Sequence, residues 1–266
     1  MTAVAATVDT PVLECRQVER RFGGLVALSG VDLKIRRGEI FGLVGPNGSG
    51  KTTLTNAITG FYPPQEGQIL LDGRDITGMA PHEVARLGVA RTFQNLALFN
   101  GMTVLDNILL GRHVHMRPSV LRTAFYTLLA RQDEIAHRIA VEEVIDFLQL
   151  QGVRDELVDA IPIGLKKRVE LARALVAEPR FLILDEPMAG MNQEEKEYMA
   201  RFVLDARDER GVTVLLIEHH MDIITGICDR MLVLSYGEMI DTGIPRELIK
   251  DPRVIKAYLG SAYAAS

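Results

Sequence analysis

Cysteine is scarce: Cys15 and Cys228 are the only two in 266 residues, far apart and without metal-type spacing. That excludes a disulfide framework, and both read as buried thiols in a reducing compartment. Long apolar runs are absent as well. No window approaches the ~20 apolar residues of a membrane-spanning helix, so any service to a membrane is expected from its cytosolic side, through a partner. Met1–Thr10 has neither the basic start nor the apolar block of a signal peptide. Positive charge is not in surplus. Against 35 Asp and Glu there are 30 Lys and Arg, a net charge of −5, which argues against a broad nucleic-acid footprint. His82, His113, His115 and His137 show no ligand spacing to match the pair His219-His220, which speaks against a histidine metal site. No Pro/Ser linker, low-complexity tract or internal repeat divides the chain. Its 47% apolar share supports one sizeable core with a subsidiary lobe.

What the chain does have is a phosphate-loop pattern. The stretch 38–53 reads GEIFGLVGPNGSGKTT. An apolar run (Ile40, Phe41, Leu43, Val44) gives way to Gly45, Pro46, Asn47, Gly48, Ser49, Gly50, Lys51, Thr52 and Thr53, which fits G-x-x-x-x-G-K-[ST]. Glycines let the backbone curl so that consecutive N–H groups face phosphate oxygens. A following helix adds the positive end of its dipole, Lys51 neutralises the outer phosphates, and the Thr52 hydroxyl ligates Mg²⁺. The expected ligand is a nucleoside triphosphate.

Around this stretch the chain alternates between strand and helix patterns. Residues 12–20 and 31–35 read as strands, with Phe22 between them suited to core packing or to stacking on a purine base. A strand is expected over 68–72, a short helix over 81–87 and a strand over 88–93. That last strand ends at Gln94, whose amide can reach Mg²⁺ or the attacking water. Residues 103–110 open a helical stretch. Segment 117–133 is amphipathic and basic, suited to a core-facing helix or to a membrane surface or partner. With the helical pattern over 134–150, residues 96–160 look like a helical lobe inserted into an α/β core. Another helix is expected over 166–177.

The run FLILDEP, residues 181–187, is too short for a helix and closes on two carboxylates. It reads as a buried parallel strand whose acids emerge at the C-terminal edge, where ligands sit in such sheets. Neighbouring strand residues face opposite ways, so Asp185 and Glu186 take different work. One holds Mg²⁺, and the other orients or deprotonates a water at the γ-phosphate. A third apolar run, Thr213–Ile217, ends at Glu218 and His219, placing His219 at the same edge. Strands over 231–234 and 238–241 flank a Tyr236–Gly237 turn, and a helix near 253–259 follows.

Taken in order, these motifs closely resemble the nucleotide-binding subunit of an ABC transporter, over nearly the whole chain. Phe22 matches the adenine-stacking aromatic, Gly45–Thr53 the Walker A loop and Gln94 the Q-loop. Asp185 closes the Walker B strand, Glu186 matches the catalytic base, Ala189–Asn192 the D-loop and His219 the switch histidine. The resemblance implies an α/β P-loop core with a mainly parallel sheet, an N-terminal antiparallel β subdomain and an inserted helical subdomain. Residues 1–95 and 163–266 are expected to form the first two, and 96–162 the third. It also implies ATP and Mg²⁺, the metal held by Thr52, Gln94 and Asp185. A second ATPase subunit is expected in a head-to-tail dimer, docked on two membrane permease subunits at the inner membrane's cytoplasmic face. An external solute-binding protein acts indirectly, and no nucleic acid is involved. The segments FGGLVAL, RTFQNLALF, LLIEHHMD and VIKAYLG resemble the ATPase branch serving branched-chain amino acid import. ATPases for aromatic acids, amides, urea or lipopolysaccharide are similar.

One departure stands out. The family's signature loop, usually LSGGQ, is replaced by Ile161-Pro162-Ile163-Gly164-Leu165, in which only Gly164 keeps its type. Pro162 offers neither the hydroxyl nor the N–H of the usual serine. Either the chain pairs with a different ATPase, giving one good and one weak site, or backbone N–H groups near Gly164 suffice. Losing two charge-assisted hydrogen bonds, worth roughly several kcal/mol in a transition state, favours the first. A regulatory module with little turnover is a further alternative, opposed by Glu186 and His219.

Overall fold

The computed structural model describes residues 11–93, 96–115 and 128–263, with side chains for all of these except 128–133 and 258–263. The expected basic helix over 117–133 therefore falls mostly outside the described residues, as does Gln94. The chain forms two compact units.

The first unit comprises residues 1–89, 180–186 and 203–266. β1 (Pro11–Phe22), buried without a break over Val12–Cys15, and β2 (Leu25–Arg36), whose second half alternates, pair as a hairpin closed by Gly23 and Gly24. The strand expected at 31–35 begins at Leu25, because its first residues pair with the end of β1 although both Leu25 and Val26 are exposed. With β4 (Glu66–Leu71) and β5 (Arg74–Asp75) they form an antiparallel sheet in the order β2-β1-β4-β5.

The second sheet supplies the frame for chemistry. β3 (Ile40–Val44), β7 (Phe181–Asp185) and β8 (Thr213–Ile217) are five residues each and wholly buried, which is why they read as unbroken apolar runs. They join β6 (Val89–Arg91), β9 (Arg230–Ser235) and β10 (Glu238–Gly243) in the order β10-β9-β3-β8-β7-β6. β3 runs parallel to β8 and β9, β7 runs parallel to β8, and β10 runs antiparallel to β9. Phe41, Leu43, Phe181, Ile183, Leu215 and Ile217 pack with Leu54, Ala57 and Ile58 of helix α1 (Lys51–Ile58) and with Leu13, Val18 and Leu28 of the hairpin. Each of the Val, Leu, Ile and Phe side chains among them contributes about 1.5–3 kcal/mol by burial. This core fixes the strand ends from which the site projects.

The second unit, residues 90–179 and 187–202, is helical. It takes in more than the 96–162 insertion expected from sequence. Helix α2 (Pro81–Arg86) precedes it in the first unit; within it run α3 (Val104–Leu109), α4 (Leu128–Phe147) and α5 (Ile163–Leu175). α5 belongs here because its polar face grips this unit's own backbone. The buried Glu170 carboxylate accepts the Ala97 N–H at 3.0 Å, and Arg173 donates to the Ala97 carbonyl. Val169 and Ala172 on its apolar side are buried, as are Val104, Ile108, Val144 and Ile145 on α3 and α4, the helices it contacts. Helix α5 starts three residues earlier than expected, with Pro162 as its extended cap residue, which carries no side-chain cap.

Candidate functional site

The loop from Gly45 to Gly50 joins β3 to α1. Gly50 is the residue before the helix and is left-handed (φ 106°), with no side chain capping the first turn. Its N–H groups are therefore open to an anion, and the helix dipole favours one there. The curl is tight. A Cβ on Gly45 would run into the Leu234 carbonyl, and one on Gly50 would lie 2.6 Å from that of Ala27. The loop closes on itself through Ser49 N–H to Pro46 O and is braced from outside by Gly237, whose N–H donates to Ser49 O at 2.9 Å. Lys51 folds back over it and donates to the carbonyls of Gly45 and Pro46 at 2.7 and 3.0 Å. Burial pulls its ammonium below the ordinary lysine range, while the Glu186 and Asp185 carboxylates act the other way. The Ser49 hydroxyl is buried without a hydrogen-bond partner among the described residues.

Strand register brings the acids to the same edge. Leu43 of β3 and Asp185 of β7 both pair with Ile217 of β8, so the three strands end level. Neighbouring strands lie about 4.8 Å apart, so the phosphate loop and the Walker B acids leave the sheet roughly 10 Å from one another with the His219 turn between them. Asp185 is buried at the strand end. Glu186 departs from the expectation of simple alternation: its φ is +50°, and its N–H donates to the Ile217 carbonyl at 3.0 Å. The left-handed turn, not the strand pleat, aims its carboxylate, and that carboxylate meets His219 Nε2 at 2.7 Å. Thr52 is exposed and Thr53 half-buried on the first turn of α1. Thr52 and Asp185 are hard oxygen donors of the kind that suit Mg²⁺.

Phe22 stands at the hairpin end of the same unit and is 41% exposed. Gly164 is the second residue of α5 in the other unit. A Cβ there would collide with the Glu195 carboxylate. That carboxylate caps helix α6 (Gln193–Arg210): its Oε2 accepts the Asn192 N–H, and Asn192 Oδ1 accepts the Glu195 N–H, both at 2.9 Å. The structure thus brings Lys51, Asp185, Glu186 and His219 to one sheet edge.

A sequence profile of the family described as ABC transporter matches residues 28–189. The high-affinity branched-chain amino acid transport ATP-binding protein BraF of Pseudomonas aeruginosa is 41% identical over 258 residues, 96% of this chain and 100% of that protein. The chain belongs to the ABC transporter family. Its ATPase fold is also that of a solved structure described as the ADP conformation of MJ1267, an ATP-binding cassette of an ABC transporter. The two share 32% identity and a TM-score of 0.82, over 94% of this chain and 99% of that one. The Escherichia coli branched-chain amino acid transport ATP-binding protein LivG is 37% identical over 96% of this chain.

In this ABC ATPase several residues beside the expected ones shape the site. Gly237 braces the phosphate loop from a distant hairpin, and Glu195 fills the space beside Gly164. Nothing local in the sequence announces either, although the N-x-x-E spacing of Asn192 and Glu195 is a helix-start signal. Arg20 and Tyr62 pack on Phe22. No helix among the described residues is long and apolar enough to cross a membrane.

Proposed function

We propose that this chain is the ATP-hydrolysing subunit of an importer for branched-chain amino acids, working at the cytoplasmic face of the membrane beneath two permease subunits fed by an external binding protein. Relatives described as branched-chain amino acid transport ATP-binding proteins match 94–96% of the chain, among them one from Methanocaldococcus jannaschii, described as probable, at 34% identity. The single observation that carries the catalytic assignment is the level edge formed by Lys51, Asp185, Glu186 and His219.

On this reading the loop amides of residues 45–53 and Lys51 hold the phosphates, and Phe22 stacks the base. Lys51 leaves the carbonyls of Gly45 and Pro46 for the phosphates. Thr52, Gln94 and Asp185 would hold Mg²⁺, which would offset charge on the phosphate oxygens. Glu186 orients or deprotonates the attacking water, and His219 fixes Glu186 while reaching the γ-phosphate. Gly164 and the first turn of α5 serve the nucleotide held by the opposing subunit in a head-to-tail dimer. Because Pro162 supplies no hydroxyl, the opposing subunit is a different ATPase whose own signature loop completes the Lys51 site. The pocket would close as the two subunits meet and reopen on hydrolysis.

The test is Glu186→Gln in the assembled complex. ATP affinity stays within about two-fold and phosphate release falls by at least ~100-fold; undiminished release would remove Glu186 from the role.

A further inference from the structure

Phe22 is not an isolated ring. The Arg20 guanidinium sits over one face, 4.9 Å from the ring centroid, and the Tyr62 ring meets Phe22 edge-to-face at 5.6 Å with planes at 84°. Arg20 is held in place by donating to the Pro63 carbonyl at 2.8 Å, and its carbon centre is 5.9 Å from the Tyr62 ring. Its Nε is buried with no partner among the described residues, a polar cost that packing of the hairpin alone does not require. Tyr62 lies just beyond α1 and donates its N–H to Asn56 O of that helix, so the cluster is tied to the element that begins at Lys51. Both residues stay partly uncovered, Phe22 at 41% and Tyr62 at 46%. A ring backed by a cation, braced by a second ring and still exposed in part has surface left for another π-system.

We propose that Arg20 and Tyr62 are positioning residues for the nucleobase: they hold the Phe22 ring so that its open face accepts a purine in register with phosphates bound at Lys51. The inference rests on the reading of Phe22 as the base-stacking residue and adds what makes that face selective. A purine covers more of a fixed ring than a pyrimidine does, so a ring free to swing loses discrimination before it loses phosphate binding.

The chain contains no tryptophan, so Phe22→Trp supplies a single fluorophore at the platform. Titrating the full-length protein with MgATP, MgUTP and magnesium tripolyphosphate, which has no base, separates base from phosphate affinity. In the Phe22 background, calorimetry follows the same three ligands. Tyr62→Leu and Arg20→Met each raise the Kd for ATP about five-fold, narrow the ATP-to-UTP ratio and leave tripolyphosphate binding unchanged; Tyr62→Phe restores the native values. Equal weakening of ATP and tripolyphosphate would reduce the cluster to fold maintenance and overturn the proposal. So would unchanged ATP affinity in both variants while Phe22→Ala weakens it. If Phe22→Ala itself leaves ATP binding intact, the base-stacking reading fails first and the proposal goes with it.

Discussion

His219 Nε2 and Glu186 Oε1 lie 2.7 Å apart, across the turns that end β8 and β7. The bond holds a carboxylate whose own backbone is left-handed, a conformation that costs a non-glycine residue on the order of 1–3 kcal/mol. The restraints that sustain strain at this position include the Glu186 N–H on Ile217 O and the imidazole on the side chain.

Removing the imidazole deletes its hold on the carboxylate at a residue that makes no hydrogen bond to the loop among the described residues. For His219→Ala we expect phosphate release in the assembled complex to drop at least ~100-fold with ATP affinity nearly unchanged. Steady-state turnover beside equilibrium binding checks this. Equal loss of both would mean that His219 serves the loop and not Glu186.

Gly45 and Gly48 should part company. A methyl on Gly45 meets the Leu234 carbonyl, part of a buried strand that cannot swing aside, whereas one on Gly48 meets nothing within 4 Å. Gly45→Ala is expected to destabilise by more than about 2 kcal/mol and to weaken ATP binding more than tenfold. Gly48→Ala bears only the strain of its positive φ, about 1 kcal/mol. Denaturant melts and ATP titrations of the two variants make the comparison.

Glu195 and Gly164 form a pair that a double-mutant cycle can expose. Gly164→Ala pushes the Glu195 carboxylate out of its capping box, at a cost near 1 kcal/mol. Glu195→Ala loses a similar amount, but clears the space. The double variant is therefore expected to cost clearly less than the sum of the singles. Strict additivity in thermal unfolding would show that the contact carries no energy.

Alkaline pH should expose Cys15. Burial, then the Asp32 and Glu14 carboxylates, push its thiol up to about 12, whereas an unfolded thiol ionises near ~8.5. The raised value means that its contribution to stability is complete below pH ~8.5 and is lost as pH rises through about 12. In that window each such thiol removes up to about 1.4 kcal/mol per pH unit. Cys228 is pushed up by burial in the same sense. Cys15→Ala should make the decline between pH 8 and 10 shallower by one thiol's share, measured by urea unfolding across that range. An unchanged slope would place the thiolate in water.

How much of this could be read beforehand follows from the range of each interaction. The phosphate loop is legible because strand, glycine turn and helix are contiguous in sequence. β7 and β8 are legible because burial on both faces leaves an unbroken apolar run. Less visible is the start of β2, where exposed Leu25 and Val26 break the alternation although the backbone still pairs. The membership of α5 in the helical unit depends on Glu170 and Arg173 reaching Ala97, more than seventy residues upstream. The aim of Glu186 was hidden for another reason: a left-handed turn at a glutamate has no sequence signal comparable to glycine.

Gly237 donates to Ser49, accepts from Ser29, and so clasps the phosphate loop to the hairpin of β1 and β2. The motif at residues 45–53 is therefore written early and finished late. On the ribosome a growing chain exposes the whole Walker A sequence long before the clasp can be made, so the loop of a nascent cassette goes without this brace until Gly237 has been added.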